Sequence, residues 1–293
     1  MDRTDTRENI QTLQALLGLT HPPPSDPDAQ DAVLVAVDFE NAPQIIQDVS
    51  LKNVNSQIGF AILDTKDLST SSIADISTYS FATGTSNYCQ KVSRRFIFGE
   101  SINEEKKYIL EKIQAIIPDS RSVILIGHDI IWDLRALSHL NPRFQKYRYL
   151  DTQHIASQVL PLKDQNKNYA LHRLLTYFNC PFYKLHCAGN DANFTLRLLL
   201  LLATFSVQNE TLSTYQKEIV AKLHNISYAL LPPPKLCPHD IALARKQRRV
   251  ERKRQARFQD PDTIERVRAE RARKKEEATR KLVLKPDAVP PRS

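Results

Sequence analysis

Glycine is scarce in this chain, with six in 293 residues. Loops that cradle a nucleotide's phosphates draw several glycines into one tight turn, and no stretch here has them, which leaves a small-molecule metallophosphatase without its phosphate cradle. Cysteine is nearly as rare: Cys89, Cys180, Cys187 and Cys237 form no CxxC pair and no framework spacing, so free thiols in a reducing compartment are expected. The isolated Cys237-Pro238-His239 cannot close a zinc site, which takes four ligands, and reads as linker. Long apolar runs are missing as well. TLRLLLLLATF at 195–205 carries Arg197 and falls short of the roughly 20 residues that cross a bilayer, so it reads as a buried helix with no membrane role. The N-terminus, MDRTDTREN, mixes both charges and resembles neither a signal nor a transit peptide. An intracellular setting, nucleus or cytoplasm, is expected.

Excess positive charge is absent from most of the chain. Residues 235–293 hold 19 Lys/Arg against 9 Asp/Glu, while the remainder holds 22 against 24. The net charge of +8 therefore belongs to the tail alone. Hydrophobic residues, 41% of the chain, cluster between about 30 and 230. The expected organisation is an amphipathic N-terminal helix (1–20), a Pro-rich linker (21–31), one folded domain (32–230), a second Pro-rich linker (231–240) and a basic tail (241–293) that is largely helical or disordered. In the tail, Asp262 and Glu265 stand at capping-box distance for a helix restart.

Within the folded domain, AVLVAVDFEN (32–41) and QIGFAILD (57–64) read as strands, with a third at about 74–83 and an edge at 92–98. Ser101 and Glu104 stand at capping-box spacing ahead of an amphipathic helix over 101–117. Strand 122–129 leads into helix 130–140, and strand 148–152 into a helix through 160; helices at 168–178 and 191–205 follow. Strands first, then alternating strands and helices, predict an α/β fold: a mixed sheet flanked by helices.

The chemistry lies in carboxylates. Residues two apart in a strand share a face, so Asp38 and Glu40 project together at the end of the first strand, a hard-oxygen pair suited to Mg²⁺ or Mn²⁺. GHDIIWDL (127–134) offers Asp133 at the start of a helix, with Asp129 its rival. In LHCAGNDANFTLRL (185–198), His186 precedes Asp191 by five places, on a loop whose small residues would let a substrate backbone approach and leave His186 free to swing. Asp191 stands where an N-cap belongs. Cys187 beside His186 is no nucleophile pair, because neighbours on an extended backbone point apart.

Taken in order, these motifs resemble the DEDDh 3′–5′ exonucleases of the RNase H-like group. The first, D-x-E, is Asp38 and Glu40; the second, similar to H-N-x-x-F-D, runs from His128 to Asp133; the third, similar to H-x-A-x-x-D-A, runs from His186 to Ala192. VDFEN, GFAILDT, FGES and LHCAGNDANFTLR look most like a fungal Gfd-type subgroup. The resemblance implies an RNase H-like fold over about 30–206 and metal ligands at Asp38, Glu40, Asp133 and Asp191. It also implies two divalent ions, Mg²⁺ or Mn²⁺, and His186 as the catalytic base. Asn41, Phe39, Trp132 and Asn190 are the candidate substrate contacts, with His128 and Asp151 in support. Two positions depart from the family: Asn41 stands for the usual Thr and Asp129 for the usual Asn.

The implied activity is removal of nucleotides from the 3′ end of RNA or single-stranded DNA, and no motif chooses between the two. The alternative is a catalytically weak RNase H-like module that binds nucleic acid or protein in RNA metabolism. In the tail, Arg245, Lys246, Arg248, Arg249, Arg252, Lys253 and Arg254 suit three roles: gripping a phosphate backbone, signalling nuclear import, or forming a solvated helix with Glu–Arg pairs. Protein partners through the tail are an expectation of the same kind.

Overall fold

The computed structural model describes residues 6–20, 31–47, 54–70, 74–117, 121–160 and 169–233, with scattered positions between 246 and 277. The chain divides into two units, Met1–Lys235 and Leu236–Ser293. In the first unit six strands form one sheet: β1 (Ala32–Glu40), β2 (Ser56–Asp64), β3 (Ser77–Thr83), β4 (Ile102–Asn103), β5 (Ser122–Gly127) and β6 (Arg148–Asp151). Their spatial order is β4-β3-β2-β1-β5-β6. β1, β2 and β3 are antiparallel neighbours, while β5 runs parallel to both β1 and β6. This is the mixed sheet expected of an RNase H-like fold.

Two hydrophobic layers cover it. On one face α2 (Ala42–Gln47), α5 (Lys106–Ile116) and α6 (Ile131–Leu140) pack on Val33, Val35, Val37, Phe60 and Leu125. On the other lies α9 (Ala188–Ser206), backed by α1 (Thr6–Leu16), α7 (Thr152–Val159), α8 (Leu171–Tyr177) and α10 (Thr214–Ser227). Residues 188–204 of α9 are all buried, which explains a helix apolar on every side. Its one cation, Arg197, is met inside: Nη1 donates to the carbonyls of Ser227 (3.2 Å) and Ala229 (2.8 Å), at the carboxyl end of α10 where a positive charge is favoured. Among the described residues no helix is long and apolar enough to cross a membrane.

The N-terminal helix is docked. Leu13, Leu16, Leu17 and Leu19 are buried, and the Gln216 amide donates to the carbonyls of Leu19 and Thr20 at 3.1 and 3.2 Å. The capping box expected at Ser101 and Glu104 does not form. Ser101 Oγ turns to the Ser80 carbonyl (3.3 Å), residues 102–103 pair with β3 as the sheet edge, and the helix begins at Lys106 after Glu105. Pairing with an exposed strand claims these residues before the helix can start. The edge expected at 92–98 is instead the end of α4 (Ser86–Arg95), capped by Thr85, followed by extended residues. α10, with a full capping box from Ser213 and Gln216, was not foreseen. In the tail unit, Lys246, Arg248, Arg249 and Arg252 occupy exposed helical positions. Arg245, Lys253, Arg254, Asp262 and most of both linkers lie outside the described residues.

The far end of the sheet is tied by one guanidinium. Arg121, just ahead of β5, donates from Nε to Asp31 (2.7 Å) and from Nη2 to Asp64 (2.8 Å), and Lys66 pairs with Asp31 at 2.7 Å. Lys66 and then Arg121 hold the Asp31 carboxyl below its usual range; Arg121 does the same for Asp64 against a smaller opposing effect of burial. Lowered carboxyl pKa values stabilise the fold above the unfolded value of about 3.9 and cease to do so as pH falls through the lower, folded value. The partly exposed Arg121–Asp64 pair is worth up to about 1 kcal/mol, or roughly 2–4 °C in a domain of this size. Arg121→Gln is therefore expected to lower Tm by that much at pH 7, with the gap closing as pH falls below the unfolded carboxyl value of about 3.9. Thermal melts across pH 2–7 would check it, and a gap that persists at the acid end would rule it out.

Candidate active site

The side-chain alternation of β1 builds the first half of the site. Its odd-numbered residues through Phe39 enter the α2/α5/α6 layer, and Ala32, Leu34 and Ala36 enter the α9 layer. Continuing that alternation carries Asp38 and Glu40 onto the α9 face, at the strand's carboxyl end. Phe39, expected at the substrate, faces the opposite layer and is 8% exposed. Its backbone N–H donates to Asp133 Oδ1 at 2.9 Å, which brings the first turn of α6 over the end of β1. Asp133, not Asp129, thus joins the first motif. Asp129 is exposed with φ 60°, its N–H and that of Ile130 donating to Asp151, each at 3.2 Å. Asp151 also caps α7, and Thr152 Oγ1 links the Gly127 carbonyl to His128 Nδ1, both at 2.9 Å, so this group supports the turn into α6.

A glycine admits the second half. Asp38 is paired in register with Gly59 of β2, and Glu40 with Gln57. A Cβ on Gly59 would lie 2.0 Å from the Ala188 carbonyl oxygen, so the start of α9 rests directly on the β2 backbone. Gln57 Oε1 accepts from the Ala188 N–H at 3.2 Å, fixing the same contact. Gly59→Ala must push α9 away from the sheet, because the obstructing atoms are backbone. It is expected to cost about 1–3 kcal/mol of stability, as overpacking does, and to lower any divalent-metal affinity by separating Asp191 from Asp38. Chemical denaturation and Mn²⁺ titration read the two effects, and a variant equal to wild type in both would show that the contact is unimportant.

α9 begins three residues earlier than its sequence pattern predicts. Its N-cap is Cys187, not Asp191, and the small residues Ala188, Gly189 and Asn190 form its first turn rather than an open loop. Gly189 is needed there because a Cβ would meet Phe96 and Ser80 at 2.7 and 2.8 Å. Asp191 projects from that turn and its Oδ2 accepts the His186 N–H at 2.8 Å. His186 is not on a freely swinging loop: its backbone is held with φ 62°. Its side chain is 87% exposed, with Nδ1 3.9 Å from Glu40 Oε1. Buried Cys187 has its thiol pushed up to about 12, chiefly by burial, which removes it as a nucleophile.

Four carboxyls now share one place, and their electrostatics are unfavourable without a cation. Burial, followed by the charges of Asp191, Asp133 and Glu40, pushes Asp38 well above the carboxylate range. Burial raises Asp133 and Asp191 to about 7, and it also raises Glu40, against the opposing charges of His186 and Arg95. Asp38 Oδ2 and Asp191 Oδ1 are sealed from solvent without a hydrogen-bond partner. Buried carboxylate oxygens are ordinarily satisfied, and hard divalent cations bind oxygen donors of this kind. The residues therefore fit a Mg²⁺- or Mn²⁺-type ion. Donor atoms of Glu40, His186 and Asp191 lie within 4.8 Å of one another, whereas Asp38 and Asp133 stand outside that tight set.

The other expected substrate contacts divide. Asn41 is exposed at φ 67°, with Nδ2 donating to the Asn55 carbonyl at 3.1 Å. Trp132 is 53% exposed, with the Arg135 guanidinium 4.7 Å over its ring. Asn190 is a correction. It is fully buried, its Oδ1 accepts from Ile97 N–H (3.0 Å), and its Nδ2 donates to the carbonyls of Arg95 (3.0 Å) and Lys184 (2.9 Å), leaving nothing for a substrate. Three side chains near the site were not anticipated. Gln57 donates to the Tyr88 hydroxyl at 3.3 Å, and Tyr88 also meets the Asn41 side chain and feels the charge of Glu40. Arg95 projects from the end of α4 toward Glu40 and Asp191. The alternation of QIGF would have placed Gln57 and Gly59 on one face; nothing local marks Tyr88 or Arg95.

No curated protein matches the chain. Among solved structures, "Structure of yeast NOT1 MIF4G domain co-crystallized with CAF1" is similar at 14% identity, with 69% of this chain and 84% of that chain covered and a TM-score of 0.36. The family model "DNA polymerase III subunit epsilon-like, C-terminal domain" matches residues 33–202. That span runs from the second residue of β1 into α9 and contains all four carboxylates and His186. The chain belongs to the DEDDh exonuclease family.

Proposed function

We propose that this protein is a metal-dependent 3′–5′ exonuclease that hydrolyses the terminal phosphodiester bond of RNA or single-stranded DNA by a two-metal mechanism, and that it falls within the fungal Gfd-type subgroup. The observation that carries the reading is the convergence of Asp38, Glu40, Asp133 and Asp191, with two carboxylate oxygens buried and unpartnered. A binding module has no physical need for such a cluster, since each unpaired buried charge costs stability. Asp38, Glu40, Asp133 and Asp191 would hold divalent ions, which would supply Lewis acidity toward the leaving oxygen and the attacking water.

His186, exposed at the rim beside Glu40, takes the proton of the attacking water, and Glu40 steadies the imidazolium that forms. Asn41 and Tyr88, joined at the mouth of the site, meet the terminal nucleotide where the family carries Thr. The exposed Lys246, Arg248, Arg249 and Arg252 add affinity for a phosphate backbone, which weakens as salt rises.

The test is purified protein with 5′- and 3′-labelled RNA and DNA strands, in Mg²⁺, Mn²⁺ or EDTA. Stepwise shortening from a free 3′ end, stopped by EDTA, is the expected result. Shortening that persists in EDTA or proceeds past a blocked 3′ end would overturn the reading. Tight binding without shortening in either metal would favour a binding module instead.

A further inference from the structure

The segment ahead of α9 is held in an unfavourable shape. Lys184 and His186 both have left-handed backbones, with φ 54° and 62°, a conformation that costs a residue with a Cβ roughly 1–2 kcal/mol. Strain of this kind persists only where the surroundings over-determine it, and it gathers at functional sites. Here three side chains hold three successive backbone groups. Asn190 Nδ2 donates to the Lys184 carbonyl at 2.9 Å, Arg95 Nη2 donates to the Leu185 carbonyl, and Asp191 Oδ2 accepts the His186 N–H at 2.8 Å.

Two of these braces sit on α9, inside the third motif. The third comes from the last turn of α4, 90 residues away in sequence. The contact between α4 and this segment runs both ways. Lys184 Nζ donates to the Arg94 carbonyl at 3.1 Å, and the Arg95 carbonyl accepts from Asn190 at 3.0 Å. The Arg95 side chain is partly buried, its Nε has no partner, and its charge bears on both Glu40 and Asp191. A place in the last turn of α4 suits a cation, but the helix dipole does not account for the bond to the Leu185 carbonyl. Between the Leu185 carbonyl and the carboxylates, the guanidinium fixes the residue next to His186 and offsets the negative charge that His186 faces.

We propose that Arg95 is a positioning residue for His186: its bond to Leu185 latches residues 184–187 to α4 and presents the imidazole beside Glu40. The catalytic part of the proposal rests on the exonuclease reading, whereas the latch does not. Arg95 touches no reacting atom and acts through His186. Lysine can reach one carbonyl but lacks the planar fork, so Arg95→Lys is expected to keep part of the effect and Arg95→Met none.

Two readouts test it. Hydrogen exchange of the metal-free protein should quicken at 184–187 in Arg95→Met by roughly ten- to a hundredfold, the factor that loss of a charge-assisted hydrogen bond applies to a local opening. β1, β2 and the body of α9 should stay as protected as in wild type, and Arg95→Lys should fall between. In strand shortening, Arg95→Met should lower kcat by more than it changes KM, and should lower it little further in a His186→Ala background, as residues acting as one unit do. Unchanged exchange at 184–187 overturns the latch, and loss of protection spread evenly through α4, α9 and the sheet shows a general structural role instead. A kcat that stays at wild type, or falls by the same factor with and without His186, overturns the link to His186. If wild type shortens no strand, the exonuclease reading fails separately and the exchange results still decide the latch.

Discussion

Asp38→Asn is expected to melt at a higher temperature than wild type in EDTA and to be inert with any divalent ion. Its carboxylate is buried among three others, with Oδ2 unpartnered. Keeping this carboxyl protonated, or charged among its neighbours, costs stability above the unfolded value of about 3.9. A neutral amide removes that cost, on the order of 1–3 kcal/mol, which corresponds to several degrees in a domain of this size. Wild type should recover a comparable amount from metal, because a ligand at 100 times its Kd stabilises by about 2.7 kcal/mol. The variant should gain little.

The sign with pH follows from the same cluster. Asp133 and Asp191 stand at about 7 without metal, mainly through burial, against about 3.9 when unfolded. Between those values the folded state holds protons that the unfolded state has released, so the metal-free protein loses stability as pH rises from about 4 to about 7. Saturating Mn²⁺ should flatten that decline, since the cation replaces the protons. Melts at pH 5 and 7.5, with Mn²⁺ or EDTA, read all of this. A wild-type Tm indifferent to Mn²⁺, or an equal Mn²⁺ shift in Asp38→Asn, would refute the assignment of Asp38 as a ligand.

His186→Ala is expected to reduce strand shortening by roughly 10²–10⁴-fold, the usual worth of a positioned base, while leaving metal affinity near wild type. The substitution keeps the backbone N–H that Asp191 accepts, so Asp191 stays oriented. It removes a side chain that is 87% exposed, so the core is untouched. Asp191→Asn should lower both rate and Mn²⁺ affinity. The comparison is needed because donor atoms of Glu40, His186 and Asp191 lie within 4.8 Å of each other, a spacing a metal can bridge. Single-turnover rates and Mn²⁺ titration on both variants separate the roles. Equal losses of metal affinity would make His186 a ligand, and a wild-type rate in His186→Ala would remove it from the chemistry.

The chain's own pattern determined a good deal. The apolar run AVLVAV marks a strand buried on both faces, and the pleat that continues through its end places Asp38 and Glu40 on one face and turns Phe39 to the other. The unbroken apolar run of 198–203 demanded burial on all sides, and α9 received it. Leu13 and Leu16 marked the inner face of α1, and Leu17 follows them into the core, although the surface they cover was not marked. Those features are local: they depend on neighbours within a turn or a pleat.

What the tertiary structure decided depends on register and close approach between distant segments. Pairing Asp38 with Gly59 is a choice of alignment between β1 and β2, and only that alignment puts the missing Cβ beneath Ala188. The competition for Ser101 was settled by β3, which offered a strand edge the sequence spacing does not show. Asn190 reads as a polar residue next to a ligand, yet the fold seals it against α4, where its amide satisfies three backbone groups. Arg95 looks like one more surface cation in SRR, and it reaches Leu185 only because α4 ends beside α9. A side chain's chemistry is written in the sequence, but the groups it will meet across 90 residues are set by the sheet register that brings the two helices together.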